Sequence, residues 1–344
     1  MNAVWWSACA LVVTGTGLSA QMRTVTIPAG KVLQNALKKQ VLGQEDGQPF
    51  HVVLEIAPAK GTNAEYTATI EETWLAKDRW VRTVRAQGLE QTVIANESGL
   101  HYVTSGVYFP LWLHAFAMGM FSPVPDISQW VRGSETIEQK VLPNGVKTTP
   151  CIHHEFMLGA KTKQINFANL CFNSDGLLEM VQGPEFAVDF SDYAKFGKLK
   201  VARALSVEPG TRATLIGKVT VLETPAAGAR VPDVPANATD KDPMRFLQIP
   251  TEQLEKLAGD EASPKWPAQI PWTGQFTLWV AVDRTGKVRQ VETRNTDLSG
   301  FAADMAVTLV GRQWKAATAD GAPLQVEGAL VFEYPPAESK AKGQ

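Results

Sequence analysis

The sequence predicts an α+β protein: a large curled antiparallel β-sheet with covering helices, followed by a small ββαβ unit. From residue 50 onward, apolar side chains recur with a period of two in many short runs, such as FHVVLEI and EYTATIEETWL. Gly, Asn, Asp or Lys separates these runs, and short connections favour antiparallel pairing of successive strands. About ten or eleven such strands precede residue 223, and a sheet of that size must curl into a half-barrel.

Composition and the first residues indicate a folded, exported protein. Of the 344 residues, 44% are hydrophobic and 20% charged, and the formal net charge is −2. These values allow a large core and give no basic surface for nucleic acid. Residues 1–20 are apolar and end in Leu18, Ser19 and Ala20, which predicts a signal peptide cleaved before Gln21. Because this segment lacks Lys and Arg, an uncleaved membrane anchor is the alternative. The expected compartment is the periplasm.

Two cysteines, Cys151 and Cys171, follow the predicted signal peptide and lie in neighbouring strand-like runs. An even number of cysteines in an exported protein predicts a disulfide. Zinc is the alternative, because His153 and His154 lie close to Cys151 and imidazole and thiolate are common zinc ligands. Adjacent strand residues point to opposite faces, so at most one of these histidines can join the cysteines. The oxidising compartment favours the disulfide, and no metal site or cofactor is expected.

Two helices are predicted among the strands. The first, over residues 30–41, has its apolar side chains on one face. The second follows Pro110, which suits a first helical turn, and its sequence FPLWLHAFAMGMF is almost wholly apolar but too short to span a membrane. A helix packed on the sheet is therefore predicted. Its candidate side chains for a lid over an apolar ligand are Trp112, Phe116, Met118 and Met120. The alternative is that they complete the core, the commoner role of Met and aromatic clusters.

The chain ends in a pattern of strand, strand, helix and strand. Residues 275–282 alternate in polarity, and Asp283 and Gly286 suit the turn into a second strand. Ser299 is a suitable N-cap for a helix with apolar residues at every fourth position. Asp320 and Gly321 then turn the chain into a final strand. The pattern predicts a small α+β domain.

Residues 264–334 resemble the periplasmic C-terminal domain of the energy transducer TonB. The matching residues, in order along the chain, are Pro264, Trp266, Pro267, Gly274, Asp283, Gly286, Val288, Trp314, Lys315, Asp320, Gly321, Pro323 and Phe332. The chain departs from the family in having Ala316 where an aromatic residue is usual. The resemblance implies an interaction module that binds an envelope protein partner. Its last strand, with Val326, Leu330 and Phe332, is predicted to pair with a segment of that partner.

Residues 21–223 are similar in architecture to LolA and LolB, the lipoprotein carriers built as half-open β-barrels. The similarity rests on Asp78-Arg79-Trp80, the apolar lid helix, Gly176-Leu177-Leu178 and the run FSDYAKFG at 190–197. It implies an apolar concavity for the acyl chain of a lipid or lipoprotein. Residues 224–263, rich in Pro and Ala at their start, are predicted as a linker with one short helix over TEQLEKLA at 251–258, and residues 335–344 as a disordered tail.

Two functions follow from these patterns. The first is a periplasmic, non-enzymatic binding protein that uses its TonB-like module in envelope transport. The alternative is a lipid or lipoprotein carrier that uses the concavity of its N-terminal domain. An enzyme is not predicted, because the sequence contains no G-x-S-x-G, H-E-x-x-H, P-loop or G-x-G-x-x-G motif.

Overall fold

The structure is a computed structural model, and it describes residues 23–45, 47–124, 136–141, 147–148, 151–157, 165–183, 187–208, 214–265, 274–294 and 299–334. The predicted signal peptide, Trp266, Pro267 and the predicted tail lie outside the described residues. The described part is mostly antiparallel sheet with few helices, as the sequence predicts.

Eleven antiparallel strands form the large sheet. From one edge to the other they are β6 (Gly99–Ser105), β5 (Leu89–Asn96), β4 (Arg79–Ala86), β3 (Ala68–Ala76), β2 (Phe50–Pro58), β14 (Leu215–Glu223), β13 (Leu199–Val207), β12 (Ala187–Phe196), β11 (Leu178–Gln182), β10 (Ile165–Phe172) and β9 (Ile152–Met157). Pairing of β2 with β14 joins two meanders, one on each side of this pair, into a single sheet. Among the described strands the two edges, β6 and β9, do not pair with each other, so the sheet is open.

A second, three-stranded sheet consists of β1 (Arg23–Pro28), β7 (Thr136–Val141) and β8 (Lys147–Thr148). Strand β1 leads directly into helix α1 (Ala29–Gln40), which packs on β13. Leu33 and Ala36 of α1 are fully buried, whereas Lys38 and Lys39 in its last turn stay exposed. Helix α1 is the amphipathic helix predicted from the sequence, and β1 was not predicted.

The core of the N-terminal part lies on one face of the large sheet. Along β2, the buried side chains of Phe50, Val52, Leu54 and Ile56 alternate with more exposed ones. One buried apolar cluster extends from Leu89 on β5 to Ile152 on β9. Because a twisted sheet of this width curls, the buried face is the concave one. Below we call it the trough, meaning the buried face of β2–β5 and β9–β14.

Helix α2 (Leu111–Phe121) lies across the trough and packs against β12 and β13. Two glycines allow it to approach closely. A Cβ atom built on Gly217 of β14 would lie 2.8 Å from the Phe116 ring. A Cβ atom on Gly119 of the helix would lie 3.0 Å from Val188 and 3.1 Å from Leu205. The helix therefore sits against the sheet backbone, with no room for a methyl group at either contact.

The C-terminal unit is a separate mixed sheet. It contains β15 (Phe246–Gln248), β16 (Gly274–Val282), β17 (Val288–Arg294), β18 (Ala317–Ala319) and β19 (Ala322–Tyr334), with helices α3 (Thr251–Ala258) and α4 (Ser299–Val307). The spatial order is β15-β19-β16-β17, and β18 pairs with β19. Strand β15 and helix α3 arise from residues in the predicted linker, and Leu254 of α3 is buried in the C-terminal core.

Asp283 and Gly286 stabilise the turn between β16 and β17. The buried Asp283 carboxylate accepts hydrogen bonds from Thr285 N at 2.7 Å and Lys287 N at 3.0 Å, and Arg289 Nε donates to it at 2.5 Å. Burial alone would raise the pKa of Asp283, but these donors hold it below its ordinary value. Gly286 has φ of +88°, and a Cβ there would lie 2.3 Å from the Trp314 carbonyl oxygen. Only glycine fits this turn.

The chain from β16 onward follows the order strand, strand, helix and strand, with the short β18 before the last strand. Its resemblance to TonB stays a prediction. The pattern of apolar residues at every fourth position continues to Val310 and Trp314, but helix α4 ends at Val307. Val310 therefore lies beyond the helix and is 47% exposed.

Substituting Gly217 with Ala tests the close approach of α2. We expect Gly217→Ala to lower the free energy of unfolding by about 1–3 kcal/mol, because its methyl group overlaps the Phe116 ring. The same substitution in a Phe116→Leu background should cost less, because the smaller side chain leaves room. Urea unfolding of the four proteins in this double-mutant cycle measures the coupling. Equal costs in both backgrounds would show that the ring contact does not limit the approach.

Candidate functional site

The structure places the predicted lid side chains on two sides of α2. Trp112, Phe116 and Met120 are buried, with Phe116 fully inaccessible. Trp112 also contacts the Tyr66 ring, with the centroids 6.1 Å apart. Met118 lies on the half-buried outer side, one turn from His114. Three of the four predicted residues thus seal the trough, and Met118 does not.

Among the described residues, the contact between α2 and the trough is tightly packed. A cavity of about 10 Å³ remains beneath the last turns of α2, lined by Gln40, Val41, Gly119, Met120, Phe190 and Leu205, among others. That volume is at most enough for one water molecule. An acyl chain could enter this contact only if α2 moved away from the sheet.

One ion pair is buried at the end of α2. Arg82 Nε donates to Glu72 Oε2 at 2.5 Å, and Glu72 is only 2% exposed. The Arg82 guanidinium lies 3.9 Å from the centroid of the Phe121 ring and 5.3 Å from that of Trp80. Burial raises the pKa of Glu72, and the charge of Arg82 opposes that rise. The pair and the cation–π contacts hold the C-terminal end of α2 over β3 and β4.

His114 lies on the outer side of α2, and no sequence pattern predicts a partner for it. The His114 ring stacks on Phe246 of β15, with the centroids 4.5 Å apart and the planes inclined by 20°. Phe246 also meets Phe109 edge-on at 5.9 Å. Burial in this apolar contact lowers the pKa of His114 to about 4. The imidazole is therefore neutral at physiological pH.

The C-terminal sheet covers the start of α2. Leu111, the first residue of the helix, forms a small buried cluster with Trp279, Ala281 and Ala329 of β16 and β19. Gln290 and Gln325, both buried, face the same segment. The sequence does not predict this contact, because these residues lie far from Leu111 in the chain and a glutamine belongs to no recognisable motif.

The predicted disulfide is present. Cys151 and Cys171 are bonded to each other, with their Cα atoms 4.1 Å apart, and they link the edge strand β9 to β10. His153 instead contacts Asn169 through Nδ1 at 2.5 Å. In the part of the chain that the structure describes, no group of three or more His, Cys, Asp or Glu side chains is placed to hold a metal ion.

The predicted pairing strand, β19, lies inside its sheet over part of its length. Val326 has Val282 of β16 on one side and Leu247 of β15 on the other, so it is not available for edge pairing. Among the described strands, only β16 neighbours the segment from Gly328 to Tyr334. The side chains of Val326 and Leu330 belong to the buried C-terminal core.

A larger, open groove of about 540 Å³ lies between the hairpin turns at one end of the large sheet and residues 229–234. Arg79, Asn96, Ser98, Arg230 and Asp233 are among its lining residues. Its mixed charges and open shape make it unsuited to an acyl chain.

Within the described residues, no helix has the length and apolar character needed to cross a membrane.

Comparisons with known proteins give distant likenesses to solved structures. No protein-family model matches the chain, and no curated protein sequence matches it significantly. Among solved structures, a LolA superfamily protein from Nitrosomonas europaea is 8% identical with a TM-score of 0.32, and the match covers 58% of this chain and 95% of that one. A DUF1329 family protein from Desulfovibrio piger is 12% identical with a TM-score of 0.32, and the match covers 59% and 95%. At these values neither likeness supports a fold or a function for this chain.

Acid should weaken the contact around His114. The unfolded imidazole has its ordinary pKa of 6.5, whereas the folded one has a pKa of about 4. Between these values the unfolded state binds a proton that the folded state excludes, so stability should fall as pH falls from about 6.5 to about 4. The loss should be at most about 3 kcal/mol. Urea unfolding at several pH values measures it, with His114→Gln as control. An identical pH dependence in the variant would contradict this assignment.

Proposed function

We propose that this protein is a non-enzymatic carrier that binds the acyl chain of a lipid or lipoprotein in the trough, after α2 has moved aside. The observation that supports it most is the way in which the trough is covered. Where the apolar face passes over β12 and β13 beside α1, one short helix, α2, covers it. Such a helix can leave without breaking any strand pairing of the sheet.

The chemistry of the contact suits an apolar ligand. The surfaces that α2 covers are formed by side chains such as Val188, Phe190 and Leu205, and the helix presents Leu113, Phe116 and Met120 in return. A saturated chain could replace these contacts at little cost, because it would bury the same apolar surface. The surface that α2 would uncover by moving is apolar, and for this reason we infer an apolar ligand.

The disulfide supports an exported location for this activity. Cys151 and Cys171 are bonded to each other, and such bonds persist in oxidising compartments such as the periplasm. We place the carrier there, in agreement with the signal peptide predicted from the sequence.

Acyl-chain binding can be tested with the purified full chain. We expect 11-(dansylamino)undecanoic acid to bind with enhanced dansyl fluorescence, and organic extraction to release lipids identifiable by mass spectrometry. Leu205→Gln should weaken binding of the probe about tenfold or more, because it places an amide on the apolar face of the trough. Ala204→Gln is the matched control, since the next strand residue points to the opposite face. No probe affinity and no extracted lipid in the folded wild-type protein would reject the carrier function.

A second candidate function, binding of an envelope protein partner, is favoured by the edge of β19. The Glu327 carbonyl oxygen accepts from Ile249 N at 2.9 Å, so the backbone groups of residue 327 point away from β16. Because the direction of the backbone groups alternates along a strand, the N–H and C=O groups of Ala329, Val331 and Glu333 point to the same edge. The N–H and C=O groups of Leu330 and Phe332 point toward β16. An added partner strand would therefore bond with residues 329, 331 and 333.

Val331→Pro tests this pairing, because it removes a donor from the outer edge of β19 while sparing the bonds to β16. We expect a photo-crosslinker at Glu333 to capture one envelope protein in cells, and Val331→Pro to abolish the product. A crosslinker at Val307, which is 72% exposed on α4, is the position control. Capture that persists in folded Val331→Pro protein would rule out pairing at this edge.

A further inference from the structure

The segment leading into α2 is hydrogen-bonded by side chains of the C-terminal sheet. Gln325 of β19 is fully buried; its Oε1 accepts from Phe109 N at 2.8 Å and its Nε2 donates to Phe109 O at 2.7 Å. One glutamine thus satisfies both backbone groups of Phe109, as a neighbouring strand would. Arg284 N adds a longer bond to Val107 O at 3.3 Å.

The cap of α2 also comes from the C-terminal sheet. Pro110, at the N-cap position, makes no side-chain capping bond. Gln290 of β17 takes that role: its Oε1 accepts from Leu111 N at 3.2 Å and from the Tyr108 hydroxyl at 3.0 Å. The first N–H groups of a helix lack partners within the helix, and a buried one without any partner is costly. An apolar side chain in place of Gln290 would leave this donor unpaired while the C-terminal sheet stays docked.

Apolar contacts reinforce these hydrogen bonds. Leu111 packs against Trp279, Ala281 and Ala329, and Phe246 covers His114 at the end of the first turn. These contacts and the four side-chain hydrogen bonds made by Gln290 and Gln325 all fall on the first turn of α2 or on the residues just before it. An isolated helix of this length is unstable in water, so losing its first turn would weaken the remainder.

We propose that the docked C-terminal unit is an autoinhibitory latch. It keeps α2 closed over the trough, and uptake of an apolar ligand requires it to undock. The ligand in this statement rests on the proposed function above, whereas the control of α2 by the C-terminal unit does not depend on it. The surface of the latch is defined as Phe246, Trp279, Gln290, Gln325 and Ala329.

Substitutions at the latch surface in the full chain test this proposal. Gln325→Ala removes both bonds to Phe109, and Gln290→Leu, a second variant, removes the cap of α2. Gln275→Ala, at an exposed position of β16, is the matched control. Hydrogen–deuterium exchange is read on the amides of α2, with those of β2 and β14 as internal reference. Near-ultraviolet circular dichroism establishes that each variant is folded, and either latch variant suffices if the other does not fold.

We expect α2 to exchange about tenfold faster in the latch variants while the reference strands stay unchanged. The affinity for 11-(dansylamino)undecanoic acid should rise by a similar factor, because the closed state no longer opposes binding as strongly. Exchange of α2 no faster than in Gln275→Ala would overturn the latch. If the wild-type protein bound the probe in that case, the proposed carrier function would still stand, without a latch. Faster exchange without any probe binding would support the latch and reject the carrier function.

Discussion

The apolar concave face of one open sheet is the constraint on which the rest of this structure depends. A sheet with eleven strands curls but, in the described part, does not close, so its inner side needs a separate cover. Helices α1 and α2 provide it, and α2 can do so only because Gly119 and Gly217 let it rest on the strands. Beneath the last turns of α2, the described residues leave only about 10 Å³ of free volume, so a ligand at that contact must compete with the protein's own helix. Stability of the folded chain and access to the trough are therefore opposed.

Local patterns predicted the parts of this arrangement that depend on short stretches of chain. The wholly apolar run after Pro110 indicated a helix packed on the sheet, and α2 lies there. Segment TEQLEKLA was expected to be helical and forms α3. The even pair of cysteines in adjacent strands indicated the disulfide that joins β9 to β10. In each case the determining signal, a periodicity or a spacing, lies within neighbouring residues.

Contacts between distant segments were not predictable in the same way. Nothing in the sequence marks β2 and β14 as partners, although their pairing unites the two meanders. The glutamine at 325 meets the backbone of Phe109 across 216 residues, and a buried amide leaves no trace in hydrophobic periodicity. Strand β15 has only three residues and pairs in parallel with β19, and so short a run shows no strand pattern that would separate it from a linker. Composition alone groups Met118 with the buried residues Trp112, Phe116 and Met120, whereas helix geometry places its side chain on the outer side of α2.

The connection between the two parts of the chain limits how the C-terminal unit can move. Thr239 is held to Tyr102 by two backbone hydrogen bonds, Asp242 accepts from Gln91 at 2.9 Å, and Met244 is buried in the N-terminal core. Only Arg245 then separates that core from β15. Undocking is consequently a hinge rotation about a very short tether, not a separation of two bodies. The effective concentration of one part around the other stays high, so reclosure needs no diffusional search and should follow promptly once a competing contact is released.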